Sequence, residues 1–156
     1  MAMHTWFECK IRYEKVMENG MQKKVTEPYL VDALSFTEAE ARIIEEMTPF
    51  ISGEFTVSDI KRANYSELFP SDEESADRWF KCKLIFITLD EKSGAEKKTS
   101  TQVLVQAADL RDAVKKLDEG MKGTMADYQI GMVSETPLMD VYPVSYTHLR
   151  AHETPE

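Results

Sequence analysis

The segment Trp6-Phe-Glu-Cys-Lys-Ile11 decides the fold, because it recurs as Trp79-Phe-Lys-Cys-Lys-Leu84, 73 positions further along the chain. The tryptophan and the cysteine, both rare in this sequence, are in register. Self-similarity at a fixed spacing is typical of a chain built from repeated structural units. We therefore predict two diverged copies of one unit, residues 5–70 and 79–143, joined by an acidic linker, residues 71–78.

Each copy has the sequence pattern of a ββαβ unit. Residues 5–16 alternate between apolar and polar side chains, as a half-buried strand does. Glu18-Asn19-Gly20 can adopt the turn that leads into a second, antiparallel strand. A helix to about Met47 follows, and alternation resumes over residues 54–62, which predicts a third strand. The second copy shows the same series.

The helix starts are predicted from short capping patterns. Thr37, with Glu40 three residues later, resembles a capping box, in which the two side chains accept hydrogen bonds from free backbone N–H groups. Asp109 with Asp112 resembles the same motif in the second copy. Both patterns precede an apolar series with helical spacing.

These elements predict an α+β protein. One unit would leave much of its sheet uncovered, so we expect the internally duplicated ββαβ units to form one pseudo-symmetric antiparallel-sheet domain with two helices, residues 5–143. The open edges of such a sheet favour pairing with identical chains, so we also expect a homo-oligomer.

The last residues, 144–156, resemble a translated sequencing adapter, and we expect them to be a non-native tail. Two of the three histidines, His148 and His152, lie in this stretch. Only His4 is left in the rest of the chain, which limits any chemistry that depends on imidazole.

Composition excludes several classes of protein. The formal net charge of −9 opposes general attraction to extended nucleic acid. Two cysteines, no secretory leader pattern and no apolar run long enough for a bilayer predict a cytoplasmic protein that does not interact with membranes, in the host cytoplasm if a phage encodes it.

The sequence offers little material for catalysis. His4, the one histidine outside the expected tail, lies near the N-terminus and leaves almost no material for a Ser-His-Asp or Cys-His arrangement, and neither zinc-ligand spacing nor a glycine-rich phosphate loop occurs. We therefore expect no catalytic residue, no metal and no cofactor. Cys9 and Cys82 fall on the apolar side of their strands, where a free cysteine acts as a small hydrophobic residue.

The polar side of the first strand in each copy carries a tryptophan beside cations. An aromatic ring beside basic side chains can stack a base and neutralise a phosphate. The six candidate ligand-binding residues are Trp6, Lys10, Arg12, Trp79, Lys81 and Lys83. In the alternative interpretation, the tryptophans pack under the helix or in a subunit contact, and the lysines only keep the surface soluble.

The Trp-Phe-x-Cys-Lys pattern, the hairpin and the helix containing Thr37-Glu-Ala-Glu-Ala41 resemble a domain-of-unknown-function family of gut bacteria and their phages, over residues 5–143. The resemblance implies a phage or mobile-element context. It implies no established activity, no cofactor and no catalytic residues.

Two functions from different classes follow. In the first hypothesis, the protein is a non-enzymatic phage counter-defence sponge that sequesters a small anionic nucleotide-type immune signal at the six candidate residues. In the second, it is an acidic phage or mobile-element accessory protein that binds a host protein through its edge strands or acidic surface. A carboxylate-dependent nuclease or nucleotide hydrolase ranks third.

Overall fold

The computed structural model describes residues 5–124 and 127–143. It has two helices and eight strands, which confirms the predicted α+β class. In chain order the elements are β1 (Trp6–Val16), β2 (Gln22–Asp32), α1 (Phe36–Met47), β3 (Phe55–Ala63), β4 (Glu67–Phe69), β5 (Arg78–Leu89), β6 (Glu96–Ala107), α2 (Leu110–Gly120), β7 (Asp127–Glu135) and β8 (Asp140–Tyr142).

The first sheet has the strand order β3-β1-β2-β8. Strand β1 pairs antiparallel with both β2 and β3, and β8 lies parallel to β2. Alternate side chains of β1 point toward helix α1, as the two-residue repeat of a strand requires. They form one buried core with β2 and α1: Phe7, Cys9, Ile11, Val31, Ala33, Ala39, Ile43 and Met47.

The second sheet has the strand order β4-β6-β5-β7. Strand β5 pairs antiparallel with β6 and β7, and β4 lies parallel to β6. Its core is formed by the corresponding strands and helix, with α2 in the place of α1. The buried members are Phe80, Cys82, Leu84, Val103, Val105, Ala107, Ala113, Leu117 and Met121.

The sequence predicted antiparallel sheets, but each sheet is mixed: it contains one parallel strand pair beside its antiparallel pairs. The parallel strand of each sheet comes from the other half of the sequence: β8 follows β7 in the chain but pairs with β2, and β4 follows β3 but pairs with β6. The described residues accordingly divide into two compact units, one comprising 5–63 and 138–143, the other 64–124 and 127–137. The prediction of a single domain over 5–143 stays a prediction, and the predicted tail lies outside the described residues.

The two sheets share a β-bulge at corresponding places. In the first sheet the register of β1 with β3 shifts between Lys10 and Ile11. In the second, the register of β5 with β7 shifts between Lys83 and Leu84, each 73 positions later. The order of elements and the position of the bulge are therefore the same in both sheets, whereas an ancestral duplication of the sequence stays a prediction.

Both helices begin at a capping box, one of them earlier than predicted. Ser35, not Thr37, caps α1: its hydroxyl accepts a hydrogen bond from the backbone N–H of Glu38 at 3.1 Å, and the Glu38 carboxylate accepts one from Leu34 N–H. The prediction for α2 is confirmed, because Asp109 accepts from Asp112 N–H at 2.8 Å.

Candidate functional site

The two tryptophans that the sequence placed on an exposed face are buried. Trp6 is 3% exposed and Trp79 is 5% exposed. Each alternates with a core phenylalanine and therefore lies on the sheet face opposite the helix, a face on which Leu30 is also fully buried. A base needs an exposed ring to stack on. Neither tryptophan therefore offers an exposed ring in this structure, because both large apolar indoles are removed from water.

The four cations of the predicted site are more accessible than the rings. Arg12 and Lys83 are exposed, and Lys10 and Lys81 are half-buried. Lys10 and Arg12 occupy alternate positions of β1, as Lys81 and Lys83 do on β5, so each pair lies along one strand. Each of the two strands thus carries two of the cations on one face, and ligand binding by the six residues stays a prediction.

Cys9 and Cys82 are fully buried free thiols, as expected for small hydrophobic residues. Burial disfavours the thiolate and raises the pKa of Cys9 to about 12 and that of Cys82 to about 11. Both groups are therefore neutral near pH 7. A nucleophilic role at these positions has no support in their surroundings.

The feature that the sequence analysis did not single out is the edge of the second sheet. Strand β7 ends the strand order, and its nine residues, Asp-Tyr-Gln-Ile-Gly-Met-Val-Ser-Glu, include no lysine, arginine or proline. Edge strands usually carry such residues, which prevent pairing with other chains. The corresponding edge strand β3 has them, with Asp59, Lys61 and Arg62 all exposed.

The face beside this edge has apolar residues at three places where the first sheet is charged, next to the exposed polar residues Gln129 and Lys83. Because both sheets have the bulge at the same place, residues 73 positions apart occupy corresponding places. Ile85 and Ile87 of β5 thus correspond to Arg12 and Glu14 of β1. On the edge strands, Met132 corresponds to Asp59 in the same way. Ile85 and Ile87 are half-buried, and Met132 is 41% exposed. Three charged positions of the first sheet are thus replaced by aliphatic or thioether side chains in the second. We call the outward-facing residues Ile85, Ile87, Gly131 and Met132 the β7 patch.

Gly131 allows the Ile85 side chain to lie close to the β7 backbone. A Cβ atom at this position would lie 2.9 Å from Cδ1 of Ile85, which is closer than side-chain carbons approach. The residue is absent from the glycines with positive φ, which are Gly20, Gly94 and Gly123 among the described residues. The φ angle at Gly131 therefore does not require glycine, and the distinguishing property of the residue is the close approach of the Ile85 side chain to it.

A second polar cluster lies on the helix side of the first sheet. The carboxylate of Glu27, which is 9% exposed, accepts hydrogen bonds from the hydroxyls of Tyr13 at 2.9 Å and Tyr29 at 3.2 Å. The Lys15 ammonium is 3.5 Å away. Each group has its partner inside the cluster, so we assign it a structural role.

An open hollow of about 730 Å³ lies beside α2, between the Phe69-Pro70 segment and the last turn of the helix. Its cation, Lys116, is held by Glu73 at 2.7 Å, by Asp112 at 3.0 Å and by the Ser71 hydroxyl at 3.1 Å. A cation with three partners is poorly available to an anionic ligand. This hollow therefore does not replace the nucleotide site that the sequence predicted.

Within residues 5–124 and 127–143, no group of three histidine, cysteine, aspartate or glutamate side chains is arranged to hold a metal ion. In the same part of the chain, neither helix has the length and apolar character that crossing a membrane requires.

The fold and the β7 patch define a class: an α+β protein whose described residues form two mixed four-stranded sheets, each with one helix, and in which the edge strand β7 has no lysine, arginine or proline. The chain belongs to the DUF4494 family, a domain of unknown function, whose model matches residues 5–144. The predicted membership of a domain-of-unknown-function family is thereby confirmed. No curated protein and no solved structure matches the chain.

Proposed function

We propose that this protein is a non-enzymatic binding protein that docks on a partner protein by strand addition at β7. The observation that carries the proposal is the difference between corresponding edges. Strand β3 bears Asp59, Lys61 and Arg62, whereas β7 has Met132, Ser134 and Glu135 at those places.

Strand addition suits the chemistry of this edge. The outer N–H and C=O groups of an edge strand can form a ladder with an extended segment of another chain, and the neighbouring side chains provide selectivity. Ile85 and Met132 flank the ladder on one face and can bury apolar side chains of that segment. Burial of one aliphatic side chain contributes on the order of 1.5–3 kcal/mol, which makes the patch an adequate anchor.

The phage or mobile-element setting belongs to the proposal as well. In that setting the chain would be an accessory protein, and the partner would be a protein of the host. The acidity of the chain, with a net charge of −9, favours a basic partner over a nucleic acid. Cytoplasmic location and homo-oligomerisation stay predictions.

The nucleotide-sponge hypothesis loses the feature that motivated it. It required exposed tryptophans beside cations, and Trp6 and Trp79 are 3% and 5% exposed. Arg12 and Lys83 remain exposed and could still attract a small anion. Titration calorimetry with cyclic dinucleotides, with Lys10→Glu/Lys83→Glu as the comparison, tests this hypothesis separately.

The proposal is tested with a displayed library of random nine-residue peptides selected on the full chain. The disruptive variant is Ile85→Arg/Met132→Asp, which installs the arginine and aspartate that the first sheet carries at the same register positions. The matched control is Arg12→Ile/Asp59→Met, the same exchange made in the opposite direction on the first sheet.

We expect the selected peptides to bind the wild type and the control variant equally. On the disruptive variant, binding should fall at least about tenfold, about 1.4 kcal/mol, because strongly hydrated charged side chains replace the apolar surface against which the peptide would bury its own apolar side chains. Thermal melts establish that both variants are folded. The proposal fails if no peptide is enriched on the wild type, or if the enriched peptides bind the disruptive variant undiminished.

A further inference from the structure

The fourth strand of each sheet is supplied by the other half of the sequence, and this origin points to a partner. We infer that two copies of this chain associate by exchanging strand β8, so that β8 of each copy pairs with β2 of the other. The inference is independent of the proposed function, because it involves neither the free edge of β7 nor the β7 patch.

The short strands β4 and β8 occupy equivalent places. Strand β8 lies parallel to β2 with Val141 opposite Leu30, and β4 lies parallel to β6 with Leu68 opposite Leu104. Val141 follows Leu68 by 73 positions, and Leu104 follows Leu30 by 74. The chain thus makes a reciprocal strand exchange between its own halves. Each sheet accepts its fourth strand from outside its own half of the sequence.

A cation on each helix holds the end of the exchanged strand. The Arg42 guanidinium of α1 donates to the Tyr142 carbonyl oxygen of β8 at 3.1 Å. Lys116, 74 positions later on α2, donates to the Glu73 carboxylate at 2.7 Å, shortly after β4. We call the β2 edge at Tyr29–Val31, together with Arg42, the β8 seat. It holds β8 by main-chain pairing and by Arg42, and neither depends on which copy supplies the strand.

The side-chain contacts in the β8 seat are also the same for either source of the strand. Val141 and Leu30 lie opposite each other and are both buried. The Tyr142 ring stacks on the Tyr29 ring, with 6.1 Å between the ring centroids. A strand from a second copy would form these contacts again. Exchange of an identical element in this way is a low-cost route to a dimer.

The connector between β7 and β8 is four residues long and is fixed at both ends. The N–H and the hydroxyl of Thr136 both donate to the Trp79 carbonyl oxygen at 2.9 Å. At the other end, Met139 N–H donates to the Pro28 carbonyl oxygen at 2.8 Å. Pro137 fixes its own φ and restricts the residue before it. Such a connector has little conformational entropy to lose when it leads to a second copy, and short connectors favour exchange.

The chain's own β8 competes with the β8 of a second copy. A strand on a short linker acts at an effective concentration on the order of millimolar. Exchange should therefore become extensive at protein concentrations of about 1 mM. Because β8 must leave its own seat before it can enter another, unfolding and refolding at that concentration is the direct route to the exchanged dimer.

Strand β4 provides the matched control. It lies between β3 and β5 in the chain, so its transfer to a second copy would move other strands with it. Both of its flanks are also tied to β6. Ser66 N–H donates to the Gln102 carbonyl oxygen at 2.8 Å, and Ser71 N–H donates to the Gln106 side-chain oxygen at 2.9 Å. We therefore expect β4 to stay in its own chain.

The test places a disulfide across each short strand of the full chain. Tyr29→Cys/Asp140→Cys replaces two Cα partners of β2 and β8. The control, Glu67→Cys/Val103→Cys, replaces the equivalent partners of β4 and β6. Both variants are refolded from urea at a series of concentrations up to about 1 mM, oxidised and analysed by denaturing, non-reducing electrophoresis. The native thiols of Cys9 and Cys82 are buried and are present in both variants.

We expect Tyr29→Cys/Asp140→Cys to give covalent dimers whose share rises with concentration, and the control to give monomers with an internal disulfide. The inference is overturned if the first variant forms its disulfide within one chain at every concentration, or if both variants give the same share of dimers.

Sedimentation velocity of the refolded protein without added cysteines gives a second measurement. We expect a dimer in the wild type that Val141→Asp abolishes, because a charged side chain does not fit the buried position opposite Leu30. Ile85→Arg/Met132→Asp should leave this dimer intact. A monomeric wild type at about 1 mM would overturn the inference and leave the proposed function standing. A dimer lost in Ile85→Arg/Met132→Asp would show that the copies meet at β7 instead, which would also overturn it.

Discussion

The Arg42 guanidinium donates a hydrogen bond to the backbone carbonyl oxygen of Tyr142 at 3.1 Å, and so joins helix α1 to the short strand β8. It also donates to the Asp32 carbonyl oxygen at 2.6 Å and lies 3.6 Å from the Glu46 carboxylate. One side chain thereby links the helix, the end of β2 and the last strand of the sheet.

Arg42→Ala should lower the free energy of unfolding by about 2 kcal/mol, because charge-assisted hydrogen bonds to mostly buried carbonyl groups contribute about 1.5–3 kcal/mol. Urea denaturation followed by circular dichroism measures the change. Arg111→Ala, at an exposed position of α2, is the control and should alter stability by less than about 0.5 kcal/mol. Equal effects of the two variants would contradict the role of Arg42.

Gly120→Ala should destabilise the second unit. A Cβ at Gly120 would lie 2.8 Å from two carbons of the Phe69 ring, and a ring cannot give way as a flexible chain end does. We expect a loss of about 1–3 kcal/mol, reduced by the better helix propensity of alanine. Gly53→Ala is the control, since a Cβ there would meet nothing within 4 Å. A more stable Gly120→Ala protein would show that Phe69 relocates freely.

Stability should fall as the pH rises above about 9. An unfolded cysteine titrates near 9.0, whereas burial raises the pKa of Cys9 to about 12 and that of Cys82 to about 11. Above pH 9 the unfolded chain therefore loses protons that the folded chain keeps, which favours unfolding. Each thiol contributes up to about 1.4 kcal/mol per pH unit in this range.

Urea denaturation between about pH 7 and 11, two units either side of the ordinary cysteine pKa, measures this dependence. The variant Cys9→Val/Cys82→Val should show a shallower decline, because it has no thiol to ionise. Native thiols should also react with a disulfide reagent only as fast as the chain unfolds. Rapid labelling of the folded protein at pH 7 would contradict the burial of the cysteines.

Glu27→Gln should lower the pKa of Tyr29. Burial raises that pKa most, and the negative charge and hydrogen bond of Glu27 raise it further. Glutamine keeps an acceptor oxygen but removes the charge, so ionised Tyr29 becomes less unfavourable. Tyrosinate absorbance across an alkaline titration measures the shift. Glu119→Gln, at an exposed position of α2, serves as the control. An unchanged titration curve would show that Glu27 does not influence the phenols.

The order of the elements could be predicted because it depends on local patterns. Alternation along β1 and helical spacing in α1 are visible in any stretch of a dozen residues. The wrong prediction of Thr37 as the residue that caps α1 also had a local cause. Thr37 and Glu40 fit the motif as well as Ser35 and Glu38 do, but Asp109, 74 positions after Ser35, marks the start that the structure has.

The burial of the tryptophans could not be predicted from alternation alone. Trp6 shares its strand face with Glu8, Lys10 and Arg12, so period-two reasoning assigned it to the polar side. Only part of that face is exposed to solvent: Trp6 at the start of the strand is buried, whereas Arg12 further along is exposed. Which part of the chain supplies the fourth strand of each sheet depends on contacts between residues far apart in sequence. A three-residue strand such as Glu67–Phe69 is too short to show an alternating pattern, so it could not be predicted.

The exchange of β4 and β8 has a consequence for how the chain can fold on the ribosome. Residues 5–63 leave the exit tunnel before Asp140–Tyr142, yet their sheet is complete only when that strand has been translated. Contacts between such distant residues form slowly. The first sheet of the nascent chain therefore lacks its fourth strand until residue 142 has emerged, and a truncation before Asp140 would remove that strand from a sheet whose other strands precede residue 64.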